Sequence, residues 1–478
     1  MGSDATLHSL AGQLRSGRID RRKFMQGAAA LGATATAISS ALRVAPTRAQ
    51  GGTEVTFWTT YVANDLANVQ AVVDGYNAQA QGHQVKLVQI PPAQVTDTTT
   101  LMTAVRGGTG PDLYLFDRFI VAQRAGDGLL QDLSSLGADQ LMGNYVPFAA
   151  AESQFNGKVY CLPFDTDVRA LYYNKGLLGA DADKLDPANG PATWDTVAEA
   201  ANKLNQQDSN GNYTQMGFVP WVNQGWHYTY GFAFGGTFMD YDNCSVTPDE
   251  QVIVDAFKWV QDYCVALDAD KVNAFGSPSM QPGFDPAQHP FHIGKLGMQI
   301  TGDWEIGQMD LYAKDVDYGI TWMPVPKAGD QSYTWAGGWS VVIPTGAKHV
   351  DEAWTAMQWI CGEGGGRIYT QKSSHVPVYA ALYEEKDLFS ERHQFFLQLI
   401  PTAKNRPPLP VGLKYWDELS AAWQKNYLGQ SQPADLLKAV KDRVNGDLQR
   451  FCPVTAPTSS FGNVEGSPAA SPMASPSS

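Results

Sequence analysis

Acidic side chains stand at the start of a long apolar and aromatic stretch, residues 163–175, in this chain of 478 residues. Asp165, Asp167 and Arg169 open the stretch, and apolar and aromatic residues follow before Asn174. An ionised carboxylate accepts hydrogen bonds from a ligand more strongly than a neutral acceptor does. The pattern fits a half-buried strand whose charged end faces a cleft, or else a surface turn before an ordinary strand.

A second acidic group follows another apolar run. Asp117 and Arg118 come directly after residues 113–116, and Trp58 ends the run 54–58. Ligands of open α/β sheets gather outside the carboxyl ends of the strands, so these side chains could line one edge of a sheet. Asp117 could instead cap the helix that follows it, and Trp58 could be a core residue.

Tryptophan is abundant, with 13 residues in the chain, and aromatic rings can cover the apolar faces of a ligand. The segment 221–238 holds Trp221, Trp226 and Tyr228 among four glycines. A buried helix followed by a glycine turn would need most of these rings, so we expect only one or two of them to contact a ligand. Trp304 directly follows a further predicted strand, where it could overhang a cleft.

The elements that would position these side chains alternate between strand and helix. Apolar residues in 64–80 recur at helical spacing, and the runs on either side are short and rich in β-branched and aromatic residues. The order strand–helix–strand–helix–strand favours a sheet with helices on its faces. The predicted strands lie at 54–58, 84–90, 113–116, 217–219, 295–301 and 319–323, and the predicted helices at 64–80, 97–106, 194–204 (capped by Thr193), 250–267 and 350–361.

The charge and the cysteines exclude some classes of protein. Residues 50–478 carry 27 basic and 46 acidic side chains, a net charge of −19, whereas nucleic-acid binding needs a basic surface. The five cysteines are odd in number and include no CxxC pair, so we expect no metal site. We expect no other cofactor either. A disulfide between Cys244 and Cys264 and simple buried thiols both remain open.

Both ends of the chain look unlike a folded domain. Residues 1–49 resemble a twin-arginine export signal, because Arg21 and Arg22 precede an apolar run, 27–42, that is too weak to span a membrane. Such a signal implies export of a folded protein, and no cysteine near the cleavage point suggests a lipid anchor. Residues 455–478 are mostly Ser, Pro, Ala and Gly and are predicted to be a disordered tail.

A series of short motifs runs through the chain: Gly110-Pro111-Asp112-Leu113, Pro163 to Tyr173-Asn174-Lys175, Pro191 to Thr193-Trp194, Gly294-Lys295-Leu296-Gly297-Met298 to Gly302-Asp303-Trp304, and Gly337-Gly338 before 341–344. Together and in this order they resemble the extracellular solute-binding proteins of ABC importers, family 1, the group that includes maltose-binding protein. The resemblance covers roughly residues 53–453.

The resemblance implies an α/β fold with two lobes, a periplasmic-binding-protein-like fold of type II, whose crossing segments let the lobes close on a ligand in the cleft between them. It places lobe 1 at 53–165 plus about 326–375, and lobe 2 at about 166–325 plus 376–453. The cleft positions of the family fall here on Trp58, Asp117, Arg118, Asp167, Trp221, Trp304, Gly337 and Trp416, with Trp226 competing for the position of Trp221.

The implied function is capture of a mono- or oligosaccharide in the periplasm or outside the cell, by a monomer without catalytic residues. The partners would be the carbohydrate ligand and the transmembrane permease subunits of an ABC importer. The residue types support a sugar independently, because rings can cover its apolar faces and carboxylates can bind its hydroxyl groups.

Two other functions would use similar residues. An exported glycoside hydrolase also combines aromatic rings with carboxylates, but no segment suggests eight βα units and a rigid barrel has no need of a hinge. A polyamine-binding protein would surround ammonium groups with Asp117, Asp165 and Asp167. Arg118 and Arg169 weaken that second alternative.

Overall fold

The computed structural model describes residues 52–80, 82–91, 98–281 and 283–458, together with Lys23. Residues 54–80 and the described residues from Val85 onward belong to one compact unit. The predicted export signal, apart from Lys23, and residues 459–478 of the predicted tail lie outside the described residues. No helix among the described residues combines the length and the apolar character needed to cross a lipid bilayer.

Strands and helices alternate along the described residues. The strands, numbered in chain order, are β1 (Thr53–Thr59), β2 (His83–Gln89), β3 (Leu113–Asp117), β4 (Gln154–Phe155), β5 (Lys158–Val159), β6 (Leu162–Pro163), β7 (Asp167–Asn174), β8 (Gln206–Gln207), β9 (Tyr213–Asn223), β10 (Phe238–Asp240), β11 (Ser245–Thr247), β12 (Leu296–Gly302), β13 (Tyr318–Thr321), β14 (Thr334–Gly337), β15 (Trp339–Val342) and β16 (Ala403–Lys404). The α-helices are Ala63–Asn77, Thr99–Arg106, Val121–Gly126, Pro147–Glu152, Lys175–Leu178, Trp194–Asn202, His227–Ala233, Gln251–Ala266, Ala269–Gly276, Glu305–Tyr312, Val350–Ile360, Glu363–Ser373, Glu391–Leu399, Gly412–Tyr427 and Pro433–Leu448.

The first sheet has the strand order β2-β1-β3-β15-β6. Its strand β1 runs parallel to β3, with Trp58 opposite Tyr114, and β15 runs antiparallel to β3, with Trp339 opposite Asp117. Val55 and Phe57 alternate inward in β1, as expected for a strand covered on one face. Trp58 and Asp117 therefore lie at the carboxyl ends of neighbouring parallel strands.

The second sheet has the order β16-β14-β7-β12-β9-β8, and β13 also pairs with β7. All eight residues of β7 are buried. The antiparallel register sets Gly337 opposite Asp167 and Gly302 opposite Arg169. The charged start of β7 consequently lies among the ends of β12 and β14, at one edge of the second sheet.

Two of the places where the chain passes between the two sheets are adjacent, and a third passage leads later from β15 to β16. The chain leaves the first sheet at β6 and enters the second at β7, and it returns from β14 to β15 through Gly338. The φ of Gly338 is +133°, and a Cβ there would lie 2.5 Å from the carbonyl oxygen of Asp165. Only glycine fits this close approach of the two segments.

The lobe boundaries near residues 326 and 376 stay a prediction, and two pairings lie close to them. Because β14 (Thr334–Gly337) pairs with β7 and β16, the chain still belongs to the second sheet until Gly338. Farther along, Tyr379 pairs with Tyr145 as an isolated bridge, so the segment after residue 376 still contacts residues near the first sheet.

The predicted strands and helices up to residue 117 are confirmed, with ends shifted by up to three residues. Thr193 caps its helix as predicted, since its hydroxyl accepts from the backbone N–H of Thr196. The strand predicted at 217–219 is much longer, because β9 continues through Pro220 to Asn223. The pairing of β9 with β12 shifts register before Asn223, which accommodates a proline that offers no N–H.

The disulfide considered between Cys244 and Cys264 is wrong. Cys244 pairs with Cys452, 208 residues away in sequence and 6.0 Å away between Cα atoms. Cys264 is a buried free thiol, as are Cys161 and Cys361. Past Cys452 the chain returns to the β4–β5 hairpin, where Thr458 and Gln154 exchange hydrogen bonds.

Loss of this disulfide should lower stability, because it removes a restraint on a long loop of the unfolded chain, ordinarily about 2–5 kcal/mol. We expect the double variant Cys244→Ser/Cys452→Ser to unfold at a lower guanidinium concentration than the wild type, followed by tryptophan fluorescence. A thiol reductant should lower the wild-type midpoint and leave the double variant unchanged. Equal sensitivity of the two proteins to reductant would contradict the pairing.

Candidate ligand cleft

Asp167 and Arg169 form a buried ion pair at the edge of the second sheet. The Oδ1 of Asp167 also accepts from the backbone N–H of Gly337 at 3.0 Å, and Arg169 Nη2 donates to Gln224 Oε1 at 3.2 Å. A Cβ on Gly337 would lie 2.9 Å from that Asp167 oxygen, so the absence of a side chain leaves room for the pair. Burial lowers the pKa of Arg169, and the charge of Asp167 opposes that shift.

The guanidinium of Arg169 lies between two indole rings. Its central carbon is 3.9 Å from the ring centre of Trp335 and 5.5 Å from that of Trp304. A cation over an aromatic face is attracted by the ring quadrupole, and more strongly when it is shielded from water. Arg169 thereby connects the predicted site residues Asp167 and Trp304, and Trp335 is a contact that the sequence did not indicate.

Asp117 pairs with a second arginine. Its Oδ1 accepts from Arg406 Nη2 at 2.8 Å and from the backbone N–H of Phe119 at 3.0 Å, so Asp117 also caps the short 3-10 helix after β3. Arg406 lies 4.2 Å above the ring of Phe119 and 5.9 Å from that of Trp416. The sequence offered no signal for Arg406, because 289 residues separate it from Asp117.

A row of aromatic rings in contact connects Arg406 to a cavity beside the second sheet. Trp416 lies 5.5 Å from Trp226 and 6.1 Å from Trp335 between ring centres. Trp226 and Trp304 both line a cavity of about 510 Å³. The structure therefore brings Asp117, Asp167, Trp226, Trp304 and Trp416 together through Arg169, Arg406 and Trp335.

The remaining aromatic candidates differ in their surroundings. Trp221, in β9, is buried and stacks on Tyr427 with 5.0 Å between ring centres, so it packs in the core of the second sheet's helices. Trp58 is half-buried and packs with Trp339 and Trp416 against the apolar cluster around Phe116. The sequence left Trp221 and Trp226 as alternatives for one position. In the structure, Trp226 is the one of the two that lines the cavity.

Arg118 is fully buried, and each of its three guanidinium nitrogen atoms donates a hydrogen bond. Nε donates to Glu152 at 3.0 Å, Nη1 to the carbonyl of Asp165 at 2.9 Å, and Nη2 to the carbonyl of Gly337 at 2.6 Å. A longer contact joins Nη1 to the carbonyl of Trp339 at 3.3 Å. The backbone acceptors belong to the two adjacent crossings, so Arg118 holds these two segments together and is not exposed to the cleft.

A buried carboxyl and a histidine lie beside these crossings. Asp303, at the end of β12, accepts from the backbone N–H of Val376 at 2.6 Å, and its Oδ2 is 3.8 Å from His375 Nδ1. Burial raises the pKa of Asp303 to about 7, even though His375 favours the ionised form. Burial alone would lower the pKa of His375, but the carboxylates of Asp303, Asp165, Asp167 and Asp65 raise it.

The free energy of unfolding should fall as the pH rises through the range in which Asp303 and His375 lose their protons. The pKa of Asp303 is about 7 in the folded protein, against 3.8 ordinarily. The folded state therefore binds this proton more tightly than the unfolded state does. This contribution to the free energy of unfolding is lost as the pH rises through the folded-state pKa and the proton dissociates. The raised pKa of His375 acts in the same direction. We expect Asp303→Asn to reduce the fall in the free energy of unfolding between pH 5 and pH 8, measured by urea titration at fixed salt.

The matched control is Asp242→Asn, at an exposed turn residue. The free energy of unfolding of this control variant should change with pH as that of the wild type does. If the Asp303 variant also kept the full wild-type dependence, the carboxyl of Asp303 would not titrate as described.

Comparison with known proteins shows which family this chain belongs to. The sequence profile of the family "Bacterial extracellular solute-binding protein" matches residues 61–366. The maltotriose-binding protein of Pyrococcus abyssi is 23% identical over 315 residues, which cover 65% of this chain and 62% of that protein. The sn-glycerol-3-phosphate-binding periplasmic protein of Pectobacterium atrosepticum is 24% identical over 432 residues, 84% of this chain and 93% of that protein.

Solved structures show the same fold. CpMnBP1 with mannobiose bound superposes with a TM-score of 0.70 at 24% identity, covering 82% of this chain and 99% of that one. The likeness confirms the predicted two-lobed α/β fold. The family profile spans well over half of the residues of this chain. This chain therefore belongs to the bacterial extracellular solute-binding proteins.

Proposed function

We propose that this solute-binding protein captures a carbohydrate outside the cytoplasmic membrane and delivers it to the permease subunits of an ABC importer. The observation that carries the proposal is the cavity of about 510 Å³ with Trp226 and Trp304 in its wall. Its volume falls in the range of about 300–1,000 Å³ that is typical of small-molecule sites. The maltotriose and mannobiose named for two of the similar proteins support the choice of a sugar.

The chemistry of the wall matches a hydroxylated ring. Trp226 and Trp304 offer apolar surface to the C–H faces of a sugar. Asn223 and Gln224 offer amide groups at the same cavity. Arg169 connects Asp167 to this wall, because it pairs with Asp167 and donates to Gln224. Hydrogen bonds to charged groups contribute about 1.5–3 kcal/mol each, so a few of them suffice for specific binding.

The charges favour a neutral ligand over an anionic or a cationic one. Each cleft arginine already has a carboxylate partner, Arg169 with Asp167 and Arg406 with Asp117. A phosphate would have to displace Asp167 or Asp117 from its arginine, and a polyamine would have to displace the arginine. Either exchange leaves one buried charge without its partner, which costs several kcal/mol.

A binding role also suits the buried acids better than a hydrolytic one. Glycoside hydrolysis requires a carboxyl with a raised pKa that reaches the substrate. Asp165 and Asp303 do have a raised pKa, caused by burial. However, one oxygen of each accepts a backbone N–H, from Trp339 and Val376 respectively, at the crossings between the sheets. We infer that these acids hold the hinge.

Ligand binding should distinguish the two neighbouring tryptophans. We expect Trp226→Leu to weaken binding of a sugar by at least tenfold, equivalent to about 1.4 kcal/mol, because it removes a ring from the cavity wall. The matched variant Trp221→Leu should lower stability and leave the affinity of the folded protein unchanged, because Trp221 packs on Tyr427. Affinity would be measured by calorimetry with a panel of sugars, sn-glycerol 3-phosphate and spermidine.

Tight binding of the phosphate or the polyamine, without any sugar, would overturn the proposed ligand class. Release of a cleaved product from a bound oligosaccharide would overturn the non-catalytic role. Equal losses of affinity in both leucine variants would contradict the placement of the site.

The export route is a further part of the proposal. The arginine pair Arg21-Arg22 ahead of the apolar run 27–42 supports transport of the folded protein by the twin-arginine system. Replacing both with lysine should leave the precursor inside the cell, as detected by fractionation and immunoblotting. Normal export of the Arg21→Lys/Arg22→Lys variant would reject this route.

A further inference from the structure

The segment that follows the last helix connects two parts of the molecule. Cys452, which comes after the helix Pro433–Leu448, is joined to Cys244 by the disulfide. Residues 453–458, called here the C-terminal strap, then lead to the β4–β5 hairpin. The two parts are the first-sheet half and the second-sheet half, each consisting of one large sheet and the helices that pack on it.

The start of the strap is fixed to the second-sheet half. Cys244 lies between β10 and β11, and the backbone N–H of Val246 in β11 donates to the side chain of Asn445 at 2.9 Å. Phe238 in β10 packs on the helix His227–Ala233, which contacts β14 of the second sheet. The disulfide therefore attaches residue 452 covalently to a hairpin of the second-sheet half.

The other end of the strap contacts the first-sheet half. Gln154 is buried in β4, and its hairpin leads directly to β6 at the edge of the first sheet. Its Nε2 donates to the carbonyl of Ala150 at 2.9 Å, so the first-sheet half itself orients the amide. Both backbone groups of Thr458 bind this amide: the N–H donates to Oε1 at 3.4 Å, and the carbonyl accepts from Nε2 at 3.3 Å. The hydroxyl of Thr458 donates to the same Oε1 at 3.0 Å.

The two ends of the strap differ in strength. At the hairpin, the contacts are these hydrogen bonds and one from the backbone N–H of Thr455 to Asn156 Oδ1 at 3.3 Å. Hydrogen bonds between uncharged groups contribute little net free energy and can break and form again. The covalent end keeps the other end close to Gln154, which raises its effective concentration there. The strap therefore has one permanent end and one releasable end.

We propose that the C-terminal strap holds the two halves of the molecule together reversibly. Its attachment to Gln154 stabilises the arrangement in which Asp117, at the end of β3, meets Arg406, which follows β16. Release from Gln154 lets the halves move apart, while the backbone passages between the sheets keep them connected. Apparent affinity for a ligand falls with the fraction of molecules in the binding arrangement, so the strap would set that fraction.

The test measures the distance between the halves in the purified protein without any sugar. Spin labels are attached at Glu199→Cys and Gln358→Cys, two exposed helix positions. The helix of Glu199 packs on β9 in the second-sheet half, and the helix of Gln358 packs on Ala63–Asn77 in the first-sheet half. The free thiols of the described residues are buried, so they react little in the folded protein. Pulsed electron paramagnetic resonance gives the distribution of distances.

The variant Gln154→Met keeps a long side chain and removes its amide. We expect it to raise the population of longer distances at least about threefold over the wild type. The matched control is Gln261→Met, because Gln261 is also buried but donates to the carbonyls of Asn426 and Ser431, among the helices beside the second sheet. The control should keep the wild-type distribution.

Two further variants make the test independent of a single substitution. Cys244→Ser/Cys452→Ser removes the fixed end and should raise the same population. Adding Gln154→Met to it should cause no further rise, because both changes release one strap. If Gln154→Met does not fold, Thr458→Pro takes its place, since it removes one donor at an exposed residue beyond the last helix. It should cause a smaller rise.

A wild-type distribution in the Gln154 variant, or in the cysteine variant, would overturn the proposed role of the strap. An equal rise in the Gln261 control would overturn it as well, because loss of any buried amide would then suffice. The measurement uses no ligand, so each of these results leaves the proposed carbohydrate function standing.

Discussion

The geometry of the cleft depends on one buried guanidinium, that of Arg118. Its Nη1 and Nη2 donate to the carbonyl oxygens of Asp165 and Gly337, which lie on the two adjacent crossings, β6 to β7 and β14 to β15. Its Nε pairs with Glu152, which is fully buried as well. A buried charge is stable only while every strong partner stays in place. The same fork therefore holds both crossings in one arrangement.

That arrangement determines where the cleft charges lie. Asp167 starts β7 directly after the first crossing, and Gly337 ends β14 directly before the second, so the two residues face each other across the strands. Arg169 follows on the same strand and reaches Trp335 and Trp304. Because each cleft arginine is paired with a carboxylate, the cleft can be lined with ions and still present little net charge to a ligand.

The fold was largely readable from local patterns. Side chains that alternate along β1, or recur at helical spacing in Ala63–Asn77, need no knowledge of distant residues. The cap at Thr193 is local for the same reason. The strand β9 was underestimated because Pro220 suggests an end, whereas a register shift against β12 allows the strand to continue.

The site was less predictable, because its contacts join distant parts of the chain. Asp117 caps the short helix that follows it, which is one of the alternatives considered, but its ion-pair partner Arg406 gave no local signal. Arg118 was expected to contact the ligand, and only the structure shows that it is buried and donates to backbone carbonyls. Trp221 and Trp226 are five positions apart, yet one faces Tyr427 and the other the cavity.

The amino-acid sequence by itself determined the order of strands and helices, the acidic and aromatic residue types of the cleft, and the family resemblance. Spacing and composition act over a few residues, so they are visible without a structure. Only the tertiary structure decided the ion-pair partners, the pairing of Cys244 with Cys452 and the tryptophan that lines the cavity. Those features arise where segments far apart in the chain pack together, and no local pattern encodes which atoms then meet.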